Sequence, residues 1–373
     1  MKPKKIVIVI LLIITSIVNT SCFSYRDIDN AIFATMLLID IDEYNNPVLY
    51  IETYKPVGGD ASETQSGKRL IFKGEGKTLF EALRTVSLAT SYKINFTQNR
   101  IIIFTEKAAE SGLDRFVDFL DRDQELLIRA FVCITKEDAQ KLIETEFKEN
   151  KYIGVFIIKM IDNIGSSSRG VELSLNNYMK QRVTGDKTSV IPLIQTKKEK
   201  VGENKLEIVG GAAVKEDKMV GVIERTQGQG FNFLLDNIES GTLEPENPEV
   251  PGKFLSLEIL KSKTNSKIEY DGKKVKLYKK IKVNTALGEV QGKFDTNESN
   301  INNIREMTEK NIEKACRDVF DSYKEKGIDI FDITEEFERK YPHDKVEDVI
   351  KITELNLDVN VNVNFYNETK GFK

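Results

Sequence analysis

ELNLDVNVNVNFYNE, residues 354–368, is the stretch whose period is least ambiguous in this chain. Leu355, Leu357, Val359, Val361, Val363 and Phe365 alternate strictly with Asn356, Asp358, Asn360, Asn362 and Asn364. A two-residue period of this kind is a strand with one face on a core and the other in water, and the Asn row keeps the wet face soluble. Upstream, residues 297–326 repeat every 3.6 positions instead: Ile301, Ile304, Ile312, Ala315, Val319 and Tyr323 fall on one helical face. A helix of about 30 residues is ~45 Å long. Asp295 with Glu298 predicts its N-terminal cap and Gly327 its end. A long helix leading into a half-wet strand predicts an α+β domain in which the helix braces an antiparallel sheet.

Working back from there, KFLSLEILKSKTNSKIEYDGKKVKLYKKIKVNTALGEVQG (253–292) predicts three antiparallel strands, with turns at KTNS and at Asp271-Gly272. LEPENPEVPG (243–252) is an extended proline-rich connector. Phe231 to Ile238 predicts a short helix ended near Gly241. Strand candidates lie around Val190, from Leu206 to Val214 and from Met219 to Glu224, the last two joined by a KEDK hairpin. The change of character places a boundary between Thr196 and Asn204.

Before that boundary strands and helices alternate. Ile32 to Ile41 and Val48 to Tyr54 predict a hairpin or neighbouring strands, and Lys55 to Gly67 a surface loop. Thr78 with Glu81 forms a capping box for a helix burying Leu79, Ala82, Leu83, Val86 and Ala89. RIIIFTE and LLIRAFVCIT predict buried strands, EKAAESG, LDRFVDFLDRD, KEDAQKLIETEF and VELSLNNYMKQRV helices. Ile153, Phe156, Ile157, Met160 and Ile164 mark one further helix face. The predicted organisation is a signal segment (1–21), an N-terminal α/β region (22–200) of one or two subdomains and a C-terminal α+β domain (201–373), with mixed sheets flanked by helices.

The N-terminus decides the compartment. Lys2, Lys4 and Lys5 precede an apolar run from Ile6 through Val18, which is too short for the ~20 residues of a spanning helix but fits an export signal. Small and polar residues then lead to Cys22, as in a bacterial lipobox, with Asn19 where Leu is usual. Cys22 is the predicted lipidation site, and two or more acyl chains anchor a protein stably. The formal charge of −4 becomes more negative once Lys2, Lys4 and Lys5 leave, which argues against nucleic acid as a partner.

Catalytic chemistry finds little to work with. A single histidine, His343, leaves too little imidazole for a zinc site or a triad. Cys133 and Cys316 sit in apolar segments and predict buried thiols. Gly76-Lys77-Thr78 lacks the earlier glycine of a phosphate loop, Ile71 standing there. Glu335 and Glu336 are adjacent on a helix and point apart, so they make no acid–base pair. Gly210, Gly211 and Gly221 serve backbone geometry, and Arg122 with Asp123 a helix-end ion pair. No catalytic, cofactor-binding or metal-binding residue is predicted.

Five blocks in order carry a family resemblance: Cys22 with the YRDID that follows; GKTLFEALRTVSLATSYKINFTQNRIIIFTEKAAESGLDRFVDFLDRDQEL; SVIPLI; VGGAAVKEDKMVGVI; and GIDIFDITEEFERKYP with the closing strand. The chain resembles the Ger(x)C family of spore germination lipoproteins, the C subunits of germinant receptors. It departs from the pattern at Phe23 and in HDKVEDV, where the family carries Trp, and at Leu127, where it carries Arg. The resemblance implies a non-enzymatic subunit, acylated at Cys22 with groups such as palmitate, on the outer face of the spore inner membrane. Its implied partners are integral-membrane A-type and B-type subunits, with a role in receptor assembly and signalling. A solute-binding lipoprotein of a transporter is the alternative, a class usually built of two similar lobes. An exported hydrolase is the third.

Overall fold

Alternating apolar residues at Met36, Leu37, Leu38 and Ile39 feed opposite faces of one strand, and that double demand shapes the N-terminal half. The computed structural model describes residues 31–56, 67–122, 129–198 and 203–364. The signal segment, Cys22, most of the Lys55–Gly67 loop, Asp123, Leu127 and Phe365 lie outside the described residues.

β1 (Ala31–Ile41) and β2 (Pro47–Lys55) form the expected antiparallel hairpin, and β3 (Lys68–Glu75) adds to β2. α1 (Leu79–Leu88) begins where the capping pattern put it: Thr78 Oγ1 accepts the Glu81 amide at 3.2 Å, and the Glu81 carboxylate accepts the Lys77 amide at 2.7 Å. Leu79, Ala82 and Val86 are buried, whereas Ala89 is exposed. β4 (Lys93–Asn95) and β5 (Ile101–Thr105) run parallel to β1. After α2 (Glu106–Ser111) and α3 (Asp114–Arg122), β6 (Phe131–Thr135) runs parallel to β5, buried as its continuous apolar character predicts. α4 (Ala139–Glu144), α5 (Ile153–Asp162) and α6 (Leu175–Gln181) follow.

β7 (Thr188–Lys198) pairs parallel with β6, then antiparallel with β8 (Asn204–Lys215), which pairs with β9 (Lys218–Glu224). The result is a nine-stranded mixed sheet in the order β3-β2-β1-β5-β6-β7-β8-β9, with β4 beside β1. Strands on either side of residue 200 are therefore hydrogen-bonded partners, and this sheet runs on to Glu224. α1, α2, α3 and α6 bury one of its faces, through Val86, Ala108, Phe116 and Tyr178. α4 and α5 bury the other, through Leu142, Ile153 and Ile157.

α7 (Gly228–Leu235) leads to β10 (Thr242–Leu243), β11 (Leu255–Tyr270) and β12 (Val275–Val290). The expected turn at KTNS is absent: Lys263, Thr264, Asn265 and Ser266 stay in register with Lys282, Ile281, Lys280 and Lys279. Thr264 explains this, since its amide donates to the Asp236 carboxylate and its hydroxyl to Phe233 O at 2.6 Å, which holds the polar tetrad extended. The Asp271-Gly272 turn forms, with Gly272 at φ 91°.

α8 (Glu298–Lys326) is capped by Asn297, which accepts the Asn300 amide at 2.9 Å, rather than by Asp295, and ends at Gly327 with φ 67°. Ile304, Ile312, Cys316, Val319, Phe320 and Tyr323 form its buried face, while Ile301 and Ala315 are half-buried. α9 (Ile333–Lys340) follows, and β13 (Thr353–Asn364) closes the second sheet in the order β10-β11-β12-β13. The sheet is antiparallel through β12, and β13 joins parallel because α8 carries the chain back along it. α7, α8 and α9 cover one face of this sheet, and the other face, with Tyr278, Lys280 and Asn360, is open.

Side chains cap part of each edge of the second sheet. Lys324 and Arg317 donate to Thr353 O and Leu355 O at 2.7 and 3.3 Å, and Glu309 accepts the Val361 amide at 2.9 Å. On the opposite edge Asp236, Tyr341 and Lys340 meet the backbone of Thr264, Tyr270 and Ile268. Such caps interrupt the free ladder that would recruit another strand.

Candidate functional site

Two buried carboxylates and one half-buried one position the surfaces between the helices. Glu52, fully buried on β2, accepts the amides of Ile153 and Gly154 at 2.9 and 3.0 Å and the Arg69 guanidinium at 2.7 Å. α5 has no cap of its own, so Glu52 caps it from another element and its charge complements the helix dipole. Asp217, at the tip of the β8–β9 hairpin with φ 65°, accepts Tyr178 Oη at 2.8 Å and Arg182 Nε at 2.9 Å, and its carbonyl accepts the Leu113 amide. Burial beside this carboxylate pushes the Tyr178 hydroxyl well above its ordinary range.

The third joins the two sheets. Asp186 accepts Lys215 Nζ at 2.8 Å and the Asp329 amide at 2.9 Å, and the same Lys215 reaches Gly327 O. Asp329 is buried and accepts Phe331 and Thr334 amides, although burial still pushes its carboxyl up. Lys180 on α6 pairs with Glu335 on α9 at 2.9 Å.

Beside this junction lies a cleft of about 590 Å³ between the C-terminal ends of α5 and α7, lined by Asp162, Glu172, Asp236, Glu239 and Asp332 with Asn177 and Asn232. Desolvation, with the charges of Glu239 and Asp162, raises the Glu172 carboxyl. Asp332 keeps solvent contact at the mouth, but crowding by the protein and then the charges of Asp329 and Glu335 raise it to about 6. Lys279 lies under the same acids. It sits on the inward row Val275, Leu277, Lys279, Ile281 and Val283 of β12, is 6% exposed, and its ammonium is held below the usual range by desolvation, which Glu336, Asp329, Asp332 and Asp236 offset in part. Sequence reading passed over Lys279; the signal was a lysine at an even step in an apolar alternation.

The other singled-out residues are not brought together. Cys133 and Cys316 are free buried thiols in different cores, and burial pushes the Cys316 thiol up to about 12. Glu335 faces Lys180 while Glu336 accepts Ser266 Oγ, so the adjacent pair does point apart. Arg122 pairs with Asp118 at 2.8 Å on an exposed helix end. Gly210, at φ 149°, lies where a Cβ would meet Ile223 O at 2.1 Å, and one on Gly211 would meet Val190 at 2.5 Å, so close strand packing requires both. His343 is exposed. Among the described residues no group of three His, Cys, Asp or Glu side chains is placed to hold a metal ion, and no helix is long and apolar enough to cross a membrane.

Comparison with known proteins divides the chain between β7 and β8, within the nine-stranded sheet. Residues 24–196 match the family model described as spore germination protein N-terminal domain, and residues 209–368 the model described as spore germination B3/GerAC like, C-terminal. The spore germination protein GerQC of Bacillus cereus is 24% identical over 86% of this chain and 87% of its own length. The spore germination protein KC of Bacillus subtilis is 23% identical over 95% and 94%. The crystal structure of the GerBC protein superposes with a TM-score of 0.56 at 18% identity, covering 88% of this chain and 96% of that one, and it shares the fold. Two consecutive family matches over most of the length settle the relationship: the chain belongs to the GerAC-type family of spore germination proteins.

Proposed function

We propose that the chain is the C-type subunit of a spore germinant receptor, anchored to the outer face of the spore inner membrane through acyl groups on Cys22. In that position it supports assembly and signalling of the receptor beside integral-membrane A-type and B-type subunits, without catalysing a reaction. The observation that carries this reading is the pair of family matches, in order and spanning most of the chain. The architecture is compatible with it: Glu52, Asp186 and Asp217 serve as caps and bolts between elements. Anchoring restricts the subunit to two dimensions and raises its effective concentration beside its partners. The solute-capture alternative calls for two similar lobes, and the chain has a nine-stranded and a four-stranded sheet instead.

Deletion of the gene in a strain without paralogues should impair the response to specific germinants and leave sporulation intact; unimpaired germination overturns the proposal. The Cys22→Ala protein should leave the membrane fraction when expressed without partners, and its retention there would favour a membrane-embedded signal segment.

A further inference from the structure

A second concavity, of about 600 Å³, opens between the start of β1 and the first turns of α5. Among the described residues its lining is apolar and aromatic, from Phe33, Tyr54, Tyr152, Val155 and Ile158, with one charged group, Arg100, and no acid. Phe33, Tyr54 and Val155 are half-buried, Arg100 and Gln98 are exposed at the rim, and the guanidinium of Arg100 makes no ion pair with a described residue. Tyr54 and Tyr152 meet edge to face at 5.8 Å. The floor is rigid: Glu52 holds the N-terminus of α5, and Gly154 is so close to β1 that a Cβ there would meet Thr35 O at 2.2 Å. The groove is therefore formed before anything enters it, and its volume is in the range of small-molecule sites.

Its place in the chain identifies an occupant. Phe33 at the beginning of β1 pairs with Tyr54 near the end of β2, and the nine residue steps from Cys22 to Ala31 span at most about 32 Å. With Cys22 acylated, this end of the body stays within that distance of the bilayer. We propose that the groove is an anionic phospholipid site, in which an acyl chain lies against Phe33, Tyr54, Tyr152, Val155 and Ile158 while the phosphate meets Arg100. This rests on the anchored-subunit reading for its lipid source. Tyrosines beside a cation match the bilayer interface, where amphipathic rings and basic groups gather, and guanidinium binds phosphate in a fixed fork geometry.

The chain has no tryptophan, so Gln98→Trp places its sole indole at the rim. The full chain carrying Cys22→Ala and Gln98→Trp is titrated with dihexanoyl phosphatidylglycerol below its micelle concentration, which tests the groove without the anchor. A saturable change in indole emission is expected, weakened about tenfold by Arg100→Glu at the cost of a charge-assisted contact and abolished by Val155→Phe, which fills the groove. Unchanged circular dichroism and melting confirm that these variants fold. No saturable change, equal binding by Arg100→Glu, or an equal change from Tyr278→Trp in place of Gln98→Trp on the open face of the second sheet overturns the proposal. A change that follows protein concentration without lipid marks a second copy as the occupant and also overturns it. Fractionation of the Cys22→Ala protein reports on the anchor separately, so the two readings fail independently.

Discussion

The first sheet is covered by helices on both faces and its middle strands β1, β5 and β6 run parallel. The second is covered on one face only, and its antiparallel strands turn Lys, Tyr and Asn side chains to water. Strands buried on both sides have no wet surface to carry charge, so the ionised groups there appear as internal bolts such as Glu52, while exposed pairs such as Lys73–Glu75 stay on the edge strand β3. A sheet with a wet face keeps its charges there, and α8 and α9 cap part of its edges from the side. Asp217 and Lys279 are the residues at which this division of labour can be pressed hardest. Asp217 is a buried acid with every partner in place, and Lys279 a buried base that relies on acids around it without an ion pair.

The largest effect is expected at Asp217. Asp217→Ala strands a buried tyrosine hydroxyl and a partly buried guanidinium, and should cost about 3–5 kcal/mol in chemical denaturation. A loss below about 1 kcal/mol would mean that the bolt is ornamental and that the two sheets differ less than their contacts suggest. Lys279→Met should do the reverse and stabilise by about 1–2 kcal/mol, because an apolar side chain suits a row of Leu277 and Ile281 better than an ammonium. The sign in pH follows from the depressed folded pKa: the penalty is full below that value and vanishes above the unfolded one, so wild-type stability should gain on the variant as pH rises into the lysine range. A pH-independent difference would place the ammonium in water.

Asp332 tests the junction. Its carboxyl is raised to about 6 in the fold, so protonation favours the folded state and stability from this group should grow as pH falls from 7 towards 4. Asp332→Asn should remove that increment in a melting series across the same window. The smallest effect belongs to Tyr323, fully buried on α8 with a hydroxyl that meets no hydrogen-bond partner among the described residues. Tyr323→Phe should be neutral or stabilising by up to about 1 kcal/mol, and a clear destabilisation would reveal a partner for that hydroxyl.

Local physics made much of this fold legible. The strict alternation of 355–363 found an edge strand whose apolar row faces α8, the 3.6 period of 297–326 found α8 itself, and Thr78 with Glu81 found the cap of α1. KTNS failed because polar composition signals a turn only when nothing pairs with the backbone, and Asp236 together with Phe233 supplied partners that are distant in sequence. The cap of α8 slipped from Asp295 to Asn297 for a smaller reason: either side chain fits the pattern, and geometry selects one.

Sequence by itself determined the periods, the turns with glycine and the family, because each depends on neighbours in the chain or on the order of blocks along it. Only the tertiary structure decided that Glu52 caps a helix 101 residues away, that Asp217 binds Tyr178 and Arg182, that β13 joins parallel and that Lys279 points inward among acids. Those outcomes are pairings between groups far apart in the chain, and a buried charge takes whichever donors the packed elements bring within hydrogen-bonding distance.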